Sequence, residues 1–241
     1  MKICIVKDYA ELSHMAFTIM KEVVRANPRA VLGLATGTTP IGLYDEMARD
    51  FTENGTSYKQ VRTINLDEYE GLPGTHPQSY RYFMDKYLFE RIDIIHQNTH
   101  VINGAAPNAQ AECARINGLL GLMPRDIQLL GIGSNGHIAF NEPGTPFGST
   151  THLVDLAEST IRDNARLFGD ESLVPRRAFT LGLKNIMNAK KILVLATGEN
   201  KANAVWGMVK GEVTEALPAS ILQLHPDCTL ICDREAAEFL G

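Results

Sequence analysis

The chain has 241 residues, of which 44% are hydrophobic, 21% charged and 7% aromatic. That is ordinary globular composition, in a chain long enough to bury a core without a disulfide or metal staple. With 23 basic and 28 acidic residues the net charge is −5, which argues against nucleic-acid or membrane-surface binding, since both partners attract a basic face. An anionic small molecule stays open, because it needs only a local cluster of positive groups.

The first apolar run, Ile3-Cys4-Ile5-Val6, is four residues long and closed by Lys7-Asp8, too short for a secretory core or a membrane span. Leu12, Met15, Ala16, Ile19, Met20, Val23 and Val24 then recur at i, i+3, i+4 spacing and predict a helix. Asn27-Pro28 ends it, because a residue before proline avoids the helical region. Residues 31–35 are apolar on both faces, as a strand buried in a parallel sheet should be. Similar runs at 61–66, 127–132, 191–196 and 229–232 alternate with predicted helices at about 40–53, 78–90, 108–121 and 200–210, and a short one near 234–240. The pattern predicts an α/β fold, a doubly wound Rossmann-like parallel sheet. No linker or charge block divides the chain, so residues 1–241 are expected to form a single catalytic domain. Residues 143–180 fit the alternation poorly and are expected to be a lid insertion.

Cys4, Cys113, Cys228 and Cys232 show no disulfide framework, and a reducing cytoplasm is the simplest reading. His225, Asp227, Cys228 and Cys232 loosely resemble a metal cluster, but the spacing is not that of a zinc site and Cys232 sits in an apolar stretch. No metal is expected.

The candidate chemistry lies where apolar runs end. Leu34-Ala-Thr-Gly37 and Leu195-Ala-Thr-Gly198 both end a strand and open a helix, and ligands of such sheets bind beyond the strands' carboxyl ends. Thr36-Gly37-Thr38-Thr39-Pro40 offers hydroxyls, a close backbone approach and a helix start suited to an anion. An ordinary threonine-capped turn is the alternative. Lys201 follows the second Thr-Gly turn, and Arg166 lies in the expected lid.

Gly131-x-Gly133-x-x-Gly136 matches a dinucleotide fingerprint, but only six residues separate the third glycine from Pro143, too few for the required helix. The same segment is informative for another reason. The 127–132 run leads straight into Asn135, His137, Asn141 and Glu142. Imidazole suits proton transfer near neutral pH, and a neighbouring amide or carboxylate can fix its tautomer. Asp67 and Glu68 follow the run at 61–66. Adjacent carboxylates on an extended chain point in different directions, so one can face the crevice while the other serves the scaffold; a capping pair is the alternative.

Four segments together resemble the glucosamine-6-phosphate deaminase family (glucosamine/galactosamine-6-phosphate isomerases): 34–40 (LATGTTP), 65–73 (NLDEYEGLP), 136–143 (GHIAFNEP) and 222–226 (LQLHP). The resemblance spans nearly the whole chain. It implies conversion of glucosamine 6-phosphate and water to fructose 6-phosphate and ammonia, without a cofactor. It further implies a cytoplasmic monomer or small homo-oligomer whose partner is a small-molecule sugar phosphate. By the resemblance, His137 opens the pyranose ring, Glu142 and Asn135 position and tune it, and Asp67 moves the C2 proton to C1. Thr36, Gly37, Thr38, Thr39, Arg166 and Lys201 hold the phosphate.

Two departures matter. Asn135 stands where the best-known members carry Asp, so no negative charge touches the imidazole directly. His152 and Val154 stand at basic positions of an allosteric site for N-acetylglucosamine 6-phosphate, and the chain stops soon after Asp233. Weak or absent activation by that ligand is expected. The rival readings are a 6-phosphogluconolactonase of the same fold and a non-catalytic sugar-phosphate sensor. The sensors carry a separate DNA-binding module, for which a strand starting at Lys2 leaves no room.

Overall fold

The computed structural model describes the backbone of residues 1–241 and every side chain except those of Ser159, Asp163, Arg166 and Leu167. Its strands are β1 (Lys2–Val6), β2 (Val31–Leu34), β3 (Arg62–Asn65), β4 (Asp67–Tyr69), β5 (Thr99–His100), β6 (Ile127–Leu130), β7 (His152–Asp155), β8 (Arg177–Thr180), β9 (Ile192–Ala196) and β10 (Cys228–Asp233). Its α-helices are α1 (Tyr9–Ala26), α2 (Ile41–Asn54), α3 (Tyr80–Tyr87), α4 (Ala109–Leu122), α5 (Glu158–Phe168), α6 (Leu183–Met187) and α7 (Ala202–Lys210).

Strands β2, β6 and β9 are buried along their whole length, and this is why their sequences read as unbroken apolar runs rather than alternating ones. They form the middle of a seven-stranded parallel sheet ordered β1-β10-β9-β6-β2-β3-β5. Helix α1 starts where Asp8 accepts the Glu11 amide at 2.9 Å while the Glu11 carboxylate takes the Lys7 amide at 2.8 Å, a reciprocal cap. It buries Leu12, Ala16, Met20 and Val24, the predicted face.

Two features depart from the predicted elements. Residues 234–240 form successive turns rather than a helix. Their amides bond back at mixed reach, Ala237 to the Asp233 carbonyl but Glu238 to Glu235 and Leu240 to Ala237, so no continuous i→i+4 ladder develops. Within 143–180 lies ordered structure that the alternation did not reveal: β7, α5 and β8, with β8 between β4 and β7 in a three-stranded antiparallel sheet.

Residue Leu66 is the pivot between the two sheets. Its amide bonds the Leu34 carbonyl at 3.2 Å, still in the parallel sheet, and its own carbonyl takes the Leu181 amide at 2.8 Å. Beyond it the chain leaves β3 and pairs with β8, Asp67 opposite Thr180. Asp67 is thereby carried over the carboxyl end of the parallel sheet.

Candidate active site

The carboxyl ends of β2, β6 and β9 open into one crevice of about 800 Å³. Thr36, Gly37, Thr38 and Thr39 line it from the first Thr-Gly turn, and Thr197, Asn200 and Lys201 from the second. Asp67 and His137 line the same space. Tyr9 braces the first turn: its hydroxyl donates to the Thr38 carbonyl at 3.1 Å and accepts the Gly42 amide at 2.8 Å. Lys201 sits at the N-cap of α7, after a single 3₁₀ turn, its amide bonded to the Gly198 carbonyl at 3.0 Å.

No helix follows Gly136. The chain makes a short bridge between Ile138 and Asn141 instead, so the glycine-rich segment is no dinucleotide turn. Three bonds hold it. The Asn141 amide group donates to the carbonyls of Ile138, at 2.9 Å, and Leu181, at 2.8 Å, and the Phe140 amide donates to Thr180 Oγ1 at 3.1 Å. Since Thr180 is also the strand partner of Asp67, one residue of β8 anchors both arms of the site. Glycine is required at 133, where a Cβ would stand 2.2 Å from the His137 ring. It is required at 136 too, where φ is +83° and a Cβ would meet Leu217.

A relay fixes the His137 ring. Glu142 Oε2 accepts the Asn135 amide N–H at 2.8 Å, and this orients the Asn135 side chain. Asn135 Oδ1 then faces His137 Nδ1 at 2.7 Å and also takes the His137 backbone amide at 3.1 Å. An amide oxygen only accepts, so Nδ1 carries the proton and Nε2 holds the lone pair in the neutral ring. The second Glu142 oxygen accepts the Thr160 hydroxyl of α5 at 2.5 Å. Burial works against the Glu142 charge, but the nearby imidazole, which attracts the carboxylate whenever the ring is protonated, and the hydrogen bonds from Thr160 and Asn135 hold its pKa down to about 2.

The acidic pair divides its labour as an extended backbone dictates. Asp67 is 7% exposed and faces the crevice; burial, reinforced by the neighbouring Glu68 charge, pushes its pKa up to about 8. Glu68 turns away and accepts the amides of Tyr69, Tyr80 and Arg81 at 2.9, 3.0 and 3.1 Å, tying β4 to the start of α3. Burial pushes Glu68 up to about 7, with those three amide bonds pulling it back.

Several wall residues gave no sign in the sequence. Tyr69, Tyr80, Phe140 and Phe168 stack around one side of the crevice, with ring centroids 5.1–6.1 Å apart. Helix α5 adds Thr160 and Asn164 to the lining. Aromatic residues spread over four segments read individually as core, and only the fold brings them together. The Arg166 side chain, expected at the phosphate, lies outside the described residues. The loose cluster at 225–232 has structural duties: His225 Nε2 donates to the Ala189 carbonyl at 2.8 Å while Nδ1 takes the Asp227 amide at 3.1 Å. Cys228 and Cys232 are buried in β10.

Comparison with known proteins adds to this geometry. The model of a family described as glucosamine-6-phosphate isomerases/6-phosphogluconolactonase matches residues 9–231. The glucosamine-6-phosphate deaminase of Clostridium perfringens is 50% identical over 244 residues, covering all of both chains. That of Lactobacillus johnsonii is 51% identical over 237 residues, 98% of this chain and 96% of its own. A solved monomeric glucosamine-6-phosphate deaminase superposes with a TM-score of 0.97, at 45% identity over 99% of both chains. The 6-phosphogluconolactonase of Trypanosoma brucei reaches a TM-score of 0.80 at 23% identity, over 100% of this chain and 98% of its own; that likeness speaks to the fold alone.

Proposed function

The chain belongs to the glucosamine-6-phosphate isomerase/6-phosphogluconolactonase family, and from that premise we infer that it converts glucosamine 6-phosphate and water into fructose 6-phosphate and ammonia. The observation that supports this most is the sharing of one crevice by a buried, strongly basic carboxylate and an imidazole whose Nε2 is free to accept. Isomerising an amino sugar needs both groups, one for carbon acid chemistry and one for oxygen.

In this reading the turn Thr36–Thr39 and Lys201 hold the phosphate, and Arg166 joins them on the resemblance alone. Binding at the phosphate end orients the reacting carbons. His137 Nε2 takes the proton of the anomeric hydroxyl and delivers it to the ring oxygen, which opens the ring. Asp67, ionised and aimed into the crevice, removes the C2 proton and leaves an enolamine. Returning that proton to C1 gives an imine at C2; water adds to the imine carbon and ammonia departs. The high Asp67 pKa serves this step, because a stronger base narrows the gap to a weakly acidic C–H. The aromatic wall keeps bulk water from the carbanion-like intermediate. Residues 143–180 act as a lid, through the Thr160, Asn164 and Phe168 side chains that α5 sets over the crevice.

Among the described residues no helix is long and apolar enough to cross a membrane. The reading keeps a cytoplasmic enzyme that is a monomer or small homo-oligomer, and the monomeric state in the name of the solved relative favours the first. The lactonase alternative is weaker, since its representatives share the fold at 15–23% identity against about 50% for the curated deaminases. Following ammonia and fructose 6-phosphate together on mixing pure protein with glucosamine 6-phosphate tests the function. Equal release of both products is expected. Tight sugar-phosphate binding without ammonia points to a sensor, and hydrolysis of 6-phosphogluconolactone in its place to a lactonase.

A further inference from the structure

At the opposite end of β6 from the crevice, a second cavity of about 490 Å³ lies between α4, the turn before β6, and α6. Its floor is Arg125, 2% exposed. That guanidinium donates to Gln128 Oε1 at 2.5 Å and to the Asn185 carbonyl, and both acceptors are neutral. Among the described residues no carboxylate pairs with it. The adjacent Asp126 is taken up by Lys190, at 2.7 Å, and by the Val31 amide. Burial lowers the Arg125 pKa to about 10, so the group stays charged at neutral pH. A buried charge without a counter-charge is costly, and proteins seldom keep one without a purpose.

Among the described residues the lining around this cation is rich in donors and holds no Asp or Glu. Asn117, Asn185 and Asn188 each bring an amide group, and Thr150 brings a hydroxyl. Asn117 and Asn185 use their oxygens on protein donors, Asn117 on the Thr151 amide at 3.2 Å and Asn185 on Thr151 Oγ1 and the Gly182 amide, both at 3.3 Å. Bonds of that sense fix the oxygens on the protein and leave the –NH₂ groups as donors. Thr150 and Asn188 are exposed at the mouth. A charged fork below and neutral N–H and O–H groups at the sides are the complement of a tetrahedral oxyanion. Leu120 and Pro124 supply an apolar flank.

We propose that this cavity is a second anion site, in which Arg125, Asn117, Asn188 and Thr150 take the phosphate group of inorganic phosphate or of a small phosphomonoester. It is separate from the crevice: the two lie at opposite ends of β6 and, among the described residues, share no lining residue.

The test is calorimetric titration of the full-length protein with inorganic phosphate. It compares wild type with Lys201→Met, which weakens the crevice, and with Asn188→Asp, which places a carboxylate at the mouth of the second cavity. Arg125→Met is included, and Asn188→Asp carries the test if loss of the buried arginine prevents folding. The proposal expects Lys201→Met to keep a binding event at the wild-type affinity. It expects Asn188→Asp to lose about tenfold or more in that event, with unchanged deaminase turnover. Repeating the titration with glycerol 3-phosphate separates the sources: tighter binding than phosphate assigns an ester, equal binding assigns free phosphate. Undiminished phosphate binding to Asn188→Asp, or its complete loss in Lys201→Met, would overturn the proposal.

Discussion

Asn135 stands between Glu142 and His137 as a one-way coupler, giving its amide N–H to the carboxylate at 2.8 Å and its carbonyl oxygen to the ring nitrogen at 2.7 Å. Glu142 Oε2 is itself 3.6 Å from His137 Nδ1. The negative charge that helps a protonated imidazole is therefore present, displaced behind an amide. An Asp at 135 is not needed for the tautomer; the carboxylate that sets the amide's orientation is.

Replacing Glu142 by Gln tests that coupling. A glutamine amide group can offer its own N–H to Asn135 and let the Asn135 amide turn over, presenting the wrong partner to Nδ1. We expect kcat to fall about 100-fold or more with substrate affinity little changed, in line with losses seen when a histidine's orienting partner is altered. Because Glu142 is held near a pKa of about 2, it stays ionised through the neutral range and no activity limb between pH 5 and 8 belongs to it. Its depressed pKa gives a stabilisation that is complete above the ordinary value of 4.5 and fades as pH falls toward 2; urea melts of the Gln variant should show less acid sensitivity there.

Asp67 has the opposite sign. Its folded pKa of about 8 lies above its ordinary 3.8, so the unfolded chain releases the proton first as pH rises. Stability is unaffected below about pH 4 and declines between there and about pH 8. Asp67→Asn should therefore be more stable than wild type at pH 8, by an amount on the order of a few kcal/mol, and equal to it at pH 3.5. Denaturant unfolding at the two pH values reads this, and a variant less stable at pH 8 would place the charge elsewhere.

In the proposed reaction Asp67 acts as the base and must be ionised, so kcat/KM of the wild type should climb with pH until about 8. Glu68 contributes to the Asp67 shift, and its carboxylate bonds the amides that start α3. Glu68→Gln removes the charge and keeps one acceptor oxygen, which serves the Tyr69 and Tyr80 amides that share Oε1 while the Arg81 amide on Oε2 loses its acceptor. The acid limb of kcat/KM should move to lower pH in this variant, a shift read from initial rates across the range.

Thr160 connects α5 to the relay through its 2.5 Å bond to Glu142 Oε1. Thr160→Val leaves that oxygen without a donor, at a cost of about 1–3 kcal/mol. We expect kcat to drop about tenfold or more, while Thr160→Ser stays within a few-fold of wild type. Equal rates in Val and Ser would remove the connection.

Gly133→Ala probes the ring's seat. With a methyl 2.2 Å from His137 Cε1, the imidazole must rotate or the loop must shift, at a cost of about 1–3 kcal/mol. Turnover should fall far more than thermal stability does, as an activity assay beside a melting curve would reveal.

Much of this architecture was legible in the residue pattern because buried parallel strands have no choice but to be apolar on both faces. Residues 31–35, 127–132 and 191–196 declared themselves in this way, and the Thr-Gly turns after two of them led to the crevice. The second sheet stayed hidden for the same physical reason in reverse. Strand β4 is Asp-Glu-Tyr, buried by its neighbours rather than by its own apolarity, and β7 is only half-buried. Thr160 and Arg125 could not be read from sequence at all. A threonine on an amphipathic helix and an arginine before a strand both pass for surface residues, and only burial set against the available partners distinguishes them.

In the proposed reaction Asp67 moves the C2 proton of a sugar held in the crevice it shares with His137. Proton NMR of glucosamine 6-phosphate in D₂O, with ammonia measured in the same sample, tests it in wild type and Asp67→Asn. Wild type should lose the C2–H signal of the substrate in step with ammonia release. The Asn variant should show neither loss while still binding the substrate within several-fold of the wild-type affinity. Loss of the C2–H signal at near wild-type rate in Asp67→Asn would assign the proton transfer to another group.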